Sequence, residues 1–335
     1  MHTGNKMQKY FVWPLLVLTQ TCFCQKFKHV DFFPTRYYSY FSAKSPVALH
    51  ILPGDTIHTG TIDCNGFDKH GKKPDTTATS NPLTGPFYVE GASEGDVLAV
   101  TFHAISFNRN YATCIEYFHP RSLPSAITKQ FENKFIESRW DIDVKNSMIT
   151  PDKRYEHLKN YQVHTAPFPG CVGVAAKNGI EISSEDAGET GGNLDFNRVT
   201  KGSTVYLPVY HEGALFYVGD GHAAQGDGEL NWSALETSLD ITFSLQVIKH
   251  KKIGYPRVED NVYLMTVGLD SSLDNAFKIA TKGLLDWLRE DYHLTMEEAT
   301  QVMGSSIEYK ITEVVDPKVE IVAMIKKDAL KGITK

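Results

Sequence analysis

The chain has 335 residues, of which 41% are hydrophobic and 22% are charged, a composition typical of a soluble globular protein with a substantial core. Its formal net charge of −6 and its isoelectric point near 6.1 provide no basic surface for nucleic acid. These values exclude nucleic acid as an expected partner.

The N-terminus has the pattern of a secretory signal peptide, which we place at residues 1–24. A positive charge precedes a short apolar run at 11–18, and Cys22 and Cys24 are small residues at the −3 and −1 positions of a cut before Gln25. The run is shorter than the roughly 20 residues of a membrane-spanning helix. The pattern predicts export to the periplasm or the medium without stable membrane insertion. A lipoprotein anchor on one of the cysteines and a buried N-terminal strand are the alternatives.

Residues 25–248 have the pattern of a β-rich body in which turns separate short strands. Apolar and β-branched runs at 47–52 and 56–63 flank a Pro-Gly-Asp turn, and another run at 97–105 follows a Glu-Gly-Asp turn. Later runs lie at 170–174, 203–209, 214–218 and 239–247. None alternates with a convincing helix, so the sequence predicts a mainly β fold, a sandwich or a barrel-like core.

Residues 117–162 interrupt this rhythm with a polar and aromatic stretch, of which 129–137 has helical character. Long connections in compact domains are often functional or mobile. We predict that this segment is an insertion or a lid over the active site.

Residues 249–335 form the predicted α/β C-terminal portion, packed on the body. A Thr-Met-Glu-Glu capping box at 295–298 opens a second helix, and 319–325 has the pattern of a final strand or short helix. The first helix is predicted from apolar residues at helical spacing, all expected in the core: Leu273, Ala276, Phe277, Ala280, Leu284, Trp287 and Leu288.

The segment 218–229 carries the densest set of chemically active residues. It combines four glycines with Asp220, His222, Asp227 and Glu229. Carboxylate and imidazole groups ligate divalent cations, and glycine allows the backbone to approach a ligand closely. The spacing is not that of an EF-hand loop or a nonapeptide calcium repeat. A polar turn without a bound ion is the alternative.

Three other segments carry weaker signals. A Gly-Gly-Asn-Leu-Asp turn ends at Asp195, Asp63 follows a strongly β run, and a Pro-rich turn precedes a strand at 81–92. Carboxylates at strand ends and turns face either solvent or a site between sheets. Together with 218–229, these segments point to a shared site.

Taken together, these stretches resemble the acetamidase/formamidase family. The matches run in order along the chain at 81–100, 169–175, 191–195, 203–209 and 213–229. The resemblance implies a β-rich fold, a bound divalent metal, and hydrolysis of formamide, acetamide or a similar short amide to a carboxylate and ammonia. Many members have His where this chain has Thr190, and the 117–162 segment is longer and more aromatic than is usual in the family.

From this resemblance and the chemistry of metal-activated water, we assign roles to single residues. The predicted cofactor is a divalent metal, zinc or calcium. The predicted ligands are Asp63, Asp195, Asp220 and His222. The predicted catalytic residues are Glu229 as general acid/base, Asp227 as an alternative proton relay, and His222. The predicted substrate contacts are Asn193, Gly192, Thr84 and Cys171.

Two alternatives stay open at this point. Cys171 or Cys64 could act as a nucleophile, but a thiolate needs a lowered pKa and a nearby base, and the sequence indicates neither. A function of another class is that of a secreted, calcium-stabilised protein that binds carbohydrate or peptide without catalysis. We also expect a homodimer.

Overall fold

The structure is a computed structural model that describes residues 27–130 and 136–334. The predicted signal peptide lies outside the described residues. Two large sheets and two long helices account for most of the regular structure. The strands of the first half are β1 (His29–Asp31), β2 (Tyr40–Phe41), β3 (Leu49–Ile51), β4 (Thr56–Gly60), β5 (Leu83–Val89), β6 (Val97–Phe107), β7 (Tyr111–Ile115), β8 (Glu137–Asp143), β9 (Met148–Thr150), β10 (Val163–His164) and β11 (Phe168–Val174).

The second half adds further strands and two long helices. The strands are β12 (Ile182–Ser183), β13 (Ala187–Gly188), β14 (Gly191–Asn193), β15 (Thr204–Pro208), β16 (Phe216–His222), β17 (Glu236–Thr237), β18 (Leu239–Ile248), β19 (Arg257–Glu259), β20 (Tyr263–Asp270), β21 (Ile307–Glu313) and β22 (Val319–Lys326). The α-helices are α1 (Ser125–Thr128), α2 (Leu273–Tyr292) and α3 (Met296–Ser306), and short 3₁₀ turns lie at Glu156–Leu158, Lys177–Gly179 and Lys327–Leu330.

The two large sheets are almost entirely antiparallel. The first has the order β1-β4-β18-β6-β15-β19-β20-β22-β21, and the second has the order β10-β9-β8-β7-β17-β16-β11-β14-β13, with β5 and β3 attached through β16. Only the pairs β1–β4 and β3–β5 are parallel within the described residues. The predicted mainly β fold with a C-terminal α/β portion is confirmed. The strands of that portion extend the first sheet, so they share a sheet with the body.

The main core lies between the two sheets. In β18 the apolar residues alternate with polar ones, so one face of the strand is buried and the other is only partly covered. Phe243 from this face meets Phe87 and Phe216 of the second sheet, at ring-centroid distances of 5.4 and 5.3 Å. The apolar alternation in the sequence therefore produces a sandwich whose two sheets share one core.

A second core forms where α2 packs on β20 and β22. Ala276, Ala280 and Leu284 of α2 are fully buried there. Two residues of the predicted stripe, Leu273 and Phe277, are instead 41% and 42% exposed, so the prediction that they belong to the core is wrong. They lie at the N-terminal end of α2, where Phe277 packs against Tyr309 of the edge strand β21 and stays partly open to solvent. The capping box of α3 is present as predicted, with its reciprocal side-chain and backbone contacts.

The segment 117–162 forms α1, β8, β9 and a 3₁₀ turn, and β8 to β10 extend the second sheet beyond β7. None of the described helices is long and apolar enough to cross a membrane.

Candidate active site and metal centre

Two adjacent antiparallel strands place a histidine among carboxylates. Asp220 and His222 lie two residues apart at the end of β16, so their side chains leave the same face of the strand. The register of β17 places Glu236 directly opposite His222. Asp195 follows β14, which reaches β16 through β11. Three separate parts of the chain therefore meet at one point of the second sheet.

The imidazole nitrogen Nε2 of His222 lies at the centre of this cluster. It is 3.3 Å from Oδ2 of Asp220, 3.3 Å from Oε2 of Glu236 and 3.7 Å from Oδ1 of Asp195. Ligand atoms of Asp195, His222 and Glu229 lie within 4.8 Å of one another, as do those of Cys64, Asp220 and Glu236. This spacing brings enough nitrogen and oxygen donors together to surround a cation.

Gln225 fixes the orientation of the histidine ring. The amide nitrogen of Gln225 donates to the backbone carbonyls of Asp195 (2.7 Å) and Thr312 (3.1 Å), which leaves its oxygen 2.9 Å from Nδ1 of His222. In the neutral ring, the proton therefore lies on Nδ1 and Nε2 carries the lone pair. Metal-binding histidines are commonly held in this way by a second group.

Several carboxylate oxygens of the cluster are buried without a hydrogen bond from any described residue, although two of them lie near Nε2 of His222. Oδ1 of Asp195, Oδ1 of Asp220, Oε2 of Glu229 and Oε2 of Glu236 have no hydrogen-bond partner within the described part of the chain. A buried, unpaired carboxylate is costly, and such groups usually pair with a cation or coordinate a metal. The donor set therefore fits a divalent cation, held by carboxylate oxygen and imidazole nitrogen.

Gly170 leaves space at the centre of the cluster. A Cβ atom on this residue would lie 2.4 Å from Oδ1 of Asp195, 2.6 Å from Oδ2 of Asp220 and 2.9 Å from Cε1 of His222. The missing side chain therefore opens a small space that these donor atoms face. Asp195 and Asp220 have positive φ angles of 41° and 55°, and such local strain is concentrated at functional sites.

The electrostatics reflect the crowding of negative charge. Burial, and then the neighbouring carboxylates, hold the pKa of Asp195 and of Glu229 well above their usual values. Burial also raises the pKa of Glu236. For His222, burial alone would lower the pKa, but Glu236 and Asp220 outweigh it and raise the pKa well above its usual value. A bound cation would offset the repulsion among these carboxylates.

The C-terminal portion contributes a second group of acids. Nδ2 of Asn193 donates to Oδ2 of Asp195 (2.7 Å) and to Oδ2 of Asp316 (2.9 Å), so the amide joins the two carboxylates. Burial raises the pKa of Glu313 to about 7, and burial with the charge of Glu313 raises the pKa of Asp316. The loop after β16 reaches these residues because Gly228 pairs with the backbone beside Glu313.

The cluster opens into a cavity of about 300 Å³. Asp220, Glu229 and Glu236 line it, so three of the clustered carboxylates face the space that a substrate would enter. The remaining wall is formed by Cys64, Asn65, Asn81, Ile115, Glu137, Glu185, Asn193, Trp232, Ser233, Val315, Asp316 and Pro317.

Comparisons with known proteins show a similarity to one family. The sequence profile described as the acetamidase/formamidase family matches residues 183–325, which include Asp195, Asp220, His222, Glu229 and Glu236. The fold is similar to that of a predicted acetamidase/formamidase from Thermoanaerobacter tengcongensis, with a TM-score of 0.77 and 26% identity over 92% of this chain and 98% of that one. In sequence and in fold, the chain is similar to the acetamidase/formamidase family.

Two curated relatives bear names of the same family. A formamidase of Methylophilus methylotrophus is 29% identical over 81% of this chain and 83% of its own length. A candidate formamidase of Schizosaccharomyces pombe is 28% identical over 61% of this chain and 62% of its own length. The chain thus spans about three fifths of the yeast relative. The resemblance inferred from the sequence is confirmed, and the relatives carry names of the predicted enzyme class, the hydrolases of linear amides.

Of the residues predicted from the sequence, the structure brings together Asp195, Asp220, His222 and Glu229. It places Asp63 differently. Oδ2 of Asp63 pairs with Nη1 of the buried Arg109 at 2.7 Å, and its Oδ1 accepts from the backbone nitrogen of Phe67 at 2.8 Å. Both carboxylate oxygens of Asp63, a predicted metal ligand, therefore already accept hydrogen bonds. These contacts hold Arg109 and a turn beside the site.

Asp227 also lies apart from the cluster. Its side chain is 55% exposed, and its carboxylate pairs with Nζ of Lys310 at 2.9 Å. An exposed, ion-paired carboxylate at the rim has no contact with the histidine or the buried acids. Of the two residues predicted to transfer protons, Glu229 lies in the cluster and Asp227 lies outside it.

Of the four predicted substrate contacts, Asn193 lines the cavity. The hydroxyl of Thr84 donates to the carbonyl of Gly60 at 3.1 Å, away from the cluster. Gly192 is buried, and a Cβ atom on it would lie 2.6 Å from Cα of Ala187 in the neighbouring strand β13. The thiol of Cys171 donates to Oδ1 of Asn193 at 2.9 Å, so it supports the cavity wall from behind. Thr84, Gly192 and Cys171 therefore do not line the cavity.

The cysteines do not have the environment of nucleophiles. Cys64, Cys114 and Cys171, the cysteines among the described residues, are all free thiols. Burial, and then the charges of nearby carboxylates, raise the pKa of Cys64 and of Cys171 well above the usual value. Both thiols are therefore held in the protonated form, which is a poor nucleophile.

Sequence reasoning missed several residues of the site, foremost Glu236, Gly170, Glu313 and Asp316. Glu236 lies in a short segment without glycine or a histidine neighbour, so no local pattern marks it. Its register opposite His222 is the signal, and that register is a property of the folded sheet.

Proposed function

We propose that this chain is an exported, metal-dependent hydrolase that cleaves short linear amides to a carboxylate and ammonia. The observation that carries the proposal is the convergence of Asp195, Asp220, His222, Glu229 and Glu236, whose unpartnered, buried oxygens adjoin an open cavity. The family supports the class of reaction, since its named members are amidases.

The proposed ligands of the cation are Asp195, Asp220 and His222, with Glu236 as a further donor. Oxygen donors and one imidazole suit zinc or calcium. When bound, a divalent cation polarises the amide carbonyl and lowers the pKa of water from 15.7 toward about 7. Gln225 contributes by keeping the proton of His222 on Nδ1, so that Nε2 remains a donor of its lone pair.

Glu229 is the proposed general acid/base. It lines the cavity, and its Oε2 atom has no hydrogen-bond partner in the described structure. The carboxylate would take a proton from the attacking water as the new C–O bond forms. It would then deliver a proton to the departing nitrogen as the C–N bond breaks, so that ammonia leaves.

Ammonia release from formamide and acetamide tests the metal-dependent reaction. We expect purified protein to lose turnover after dialysis against a chelator and to recover it when zinc or calcium is returned. A folded protein that binds the metal but hydrolyses neither amide would contradict the proposal and favour the binding protein considered above.

Substitution of the proposed acid/base tests the role of Glu229. Glu229→Gln keeps the shape of the side chain but removes proton transfer, so we expect kcat/KM to fall by roughly 10²–10⁴-fold while the metal content is retained. Glu212→Gln, on an exposed glutamate outside the site, is the matched control. Unchanged turnover of Glu229→Gln would remove Glu229 from the mechanism.

Export rests on the N-terminal pattern at residues 1–24. Mass spectrometry of the protein from the native host should detect a mature N-terminus at Gln25. A full-length chain that fractionates with the cytosol would contradict export.

A homodimer is part of the proposal. Leu273, Phe277, Tyr309 and Ile311 form an exposed apolar area on α2 and β21, where the rings of Phe277 and Tyr309 are 4.6 Å apart. Light scattering should give twice the mass of the chain, and Phe277→Glu should shift the particle toward the monomer.

A further inference from the structure

A second, larger cavity adjoins the first. Its volume is about 460 Å³, and it shares Ile115, Glu229 and Ser233 with the cavity that contains the carboxylate cluster. The proposed acid/base therefore lies at the boundary of both spaces. A molecule that places its amide beside Glu229 has room to extend into the second cavity.

All four aromatic residues that line the second cavity come from the 117–162 segment. Phe118, Trp140, Tyr155 and Leu158 line one side, and the loop after β16 lines the other. Aromatic and aliphatic walls with a few polar groups are the usual lining of a site for a small organic ligand. The segment that extends the sheet thus also builds a chamber beside the reaction centre.

The polar groups of this chamber favour an uncharged ligand. Two carboxylates of its lining are already ion-paired, Glu116 with Arg154 and Asp227 with Lys310, so neither is free to bind a charged ligand group. The indole N–H of Trp140 is buried, and the described residues offer it no acceptor. A neutral ring that carries or lies beside a hydrogen-bond acceptor would suit these walls.

The volumes argue against formamide or acetamide as the only substrates. A water molecule takes about 30 Å³ of liquid volume, so an amide of three or four heavy atoms needs on the order of 100 Å³. Such a molecule would leave most of the first cavity and all of the second unfilled. Apolar walls that stay hydrated contribute no binding free energy.

We propose that the preferred substrate is a neutral primary amide whose acyl group carries an aryl or comparably bulky apolar substituent. The amide lies beside Glu229, and the substituent occupies the second cavity. This inference rests on the proposed amidase function. The bulky group is placed on the acyl side, because the proposed amidase reaction releases ammonia. Release of ammonia requires an amide nitrogen without a substituent.

Comparison of acetamide with phenylacetamide and 3-phenylpropionamide tests the inference. Apolar contacts of a single group change kcat/KM by roughly 10–200-fold. We expect at least a tenfold higher kcat/KM for one of the aryl amides than for acetamide. We also expect phenylacetate to inhibit acetamide hydrolysis competitively, which detects occupancy without turnover of an aryl substrate.

Leu158→Trp would narrow the second cavity from its wall. Leu158 is only partly buried, in a 3₁₀ turn, so the change should not prevent folding. We expect the ratio of kcat/KM for phenylacetamide over acetamide to fall at least tenfold. Leu52→Trp, at a partly exposed turn of the body, is the matched control and should keep the wild-type ratio.

The outcomes separate the two proposals. If no amide is hydrolysed under any metal condition, the amidase function itself fails. If acetamide is hydrolysed but aryl amides are no better and Leu158→Trp leaves the ratio unchanged, only the substrate inference is overturned.

Discussion

Gly170 is the residue whose missing side chain keeps the carboxylate cluster open. It lies in β11, on the strand that joins β14 to β16, so its Cα atom faces Asp195, Asp220 and His222 from one side. A methyl group there would lie within 3 Å of atoms from all three residues. The site therefore depends on the absence of a side chain as much as on the presence of its donors.

Gly170→Ala should weaken metal binding without unfolding the protein. The added Cβ would displace Oδ1 of Asp195 and Oδ2 of Asp220, which are ends of side chains and can move. We expect the metal affinity to be roughly 10–100-fold weaker, which is the effect of changing groups that orient metal ligands. We expect a parallel loss of amidase activity. Metal titration followed by calorimetry measures the affinity.

Gly254→Ala is the control for this change, because open space surrounds the position of its Cβ. Equal affinity in both variants would show that the cation does not sit where Gly170 leaves room.

At the scale of elements, the backbone of helix α2 lies directly against Gly268 of β20. A Cβ on Gly268 of β20 would lie 2.0 Å from the carbonyl oxygen of Ala276 and 2.5 Å from the amide nitrogen of Ala280. These are backbone atoms, so no side-chain rotation would relieve the clash. Thr266 reinforces the contact, since its hydroxyl donates to the carbonyl of Ala280 at 2.7 Å.

Gly268→Ala should therefore destabilise the fold, although the same substitution often stabilises a protein elsewhere. Overpacking costs about 1–3 kcal/mol, and we expect at least the upper end because backbone must move. Urea unfolding measures the change in the free energy of unfolding.

Gly304→Ala in α3 is the matched comparison, because open space surrounds its Cβ and alanine is the better helix former. We expect a gain of about 0.5–1 kcal/mol there. If both alanines had the same effect, the close contact between α2 and β20 would not determine the stability of this layer.

The sequence predicted patterns within single helices and strands most successfully. The capping box at Thr295 and Glu298 and the alternation in β18 depend on residues close together in the chain, so local sequence defines them. The exposure of Leu273 and Phe277 was not predictable in the same way. Helical spacing indicates which residues share a face, but where the sheet ends beneath the helix decides how much of that face is covered.

At the scale of the whole molecule, the site gathers acids from the body and from the C-terminal portion. Asp220 and Glu236 come from the second sheet, whereas Glu313 ends β21 of the first sheet and Asp316 follows it. Asn193 joins the two groups through hydrogen bonds to Asp195 and Asp316. The protonation of this assembly is therefore coupled to the stability of the fold.

The metal-free protein should lose stability as the pH rises from 5 to 7.5. When folding raises the pKa of a carboxyl group, the folded protein still binds a proton at a pH at which the unfolded chain has released it. The stabilisation that this proton provides is lost as the pH rises through the folded pKa. For Glu313, a shift from 4.5 to about 7 corresponds to on the order of 3 kcal/mol. The raised pKa of His222 acts in the same direction.

Thermal unfolding of chelator-treated protein across this range measures the effect. We expect a lower Tm at pH 7.5 than at pH 5, a larger increase in Tm on adding metal at pH 7.5, and a flatter profile for Glu313→Gln. A metal-free protein that is more stable at pH 7.5 would contradict this account. Asp96 does not interfere, since its pKa is lowered to about 2 and it titrates below the range.

The sequence by itself determined several strands of the body, the capped helix and the donors that lie close together in the chain, Asp220, His222 and Glu229. Neighbouring residues carry these signals, because period and turn chemistry act over a few positions. Only the tertiary structure decided that Glu236 lies opposite His222, that Asp63 pairs with Arg109, and that Gly170 leaves the centre open. Strand register sets the positions of Glu236 and Gly170, and the fold brings together the two connections that carry Asp63 and Arg109. These contacts depend on how distant parts of the chain pack, which no local pattern records.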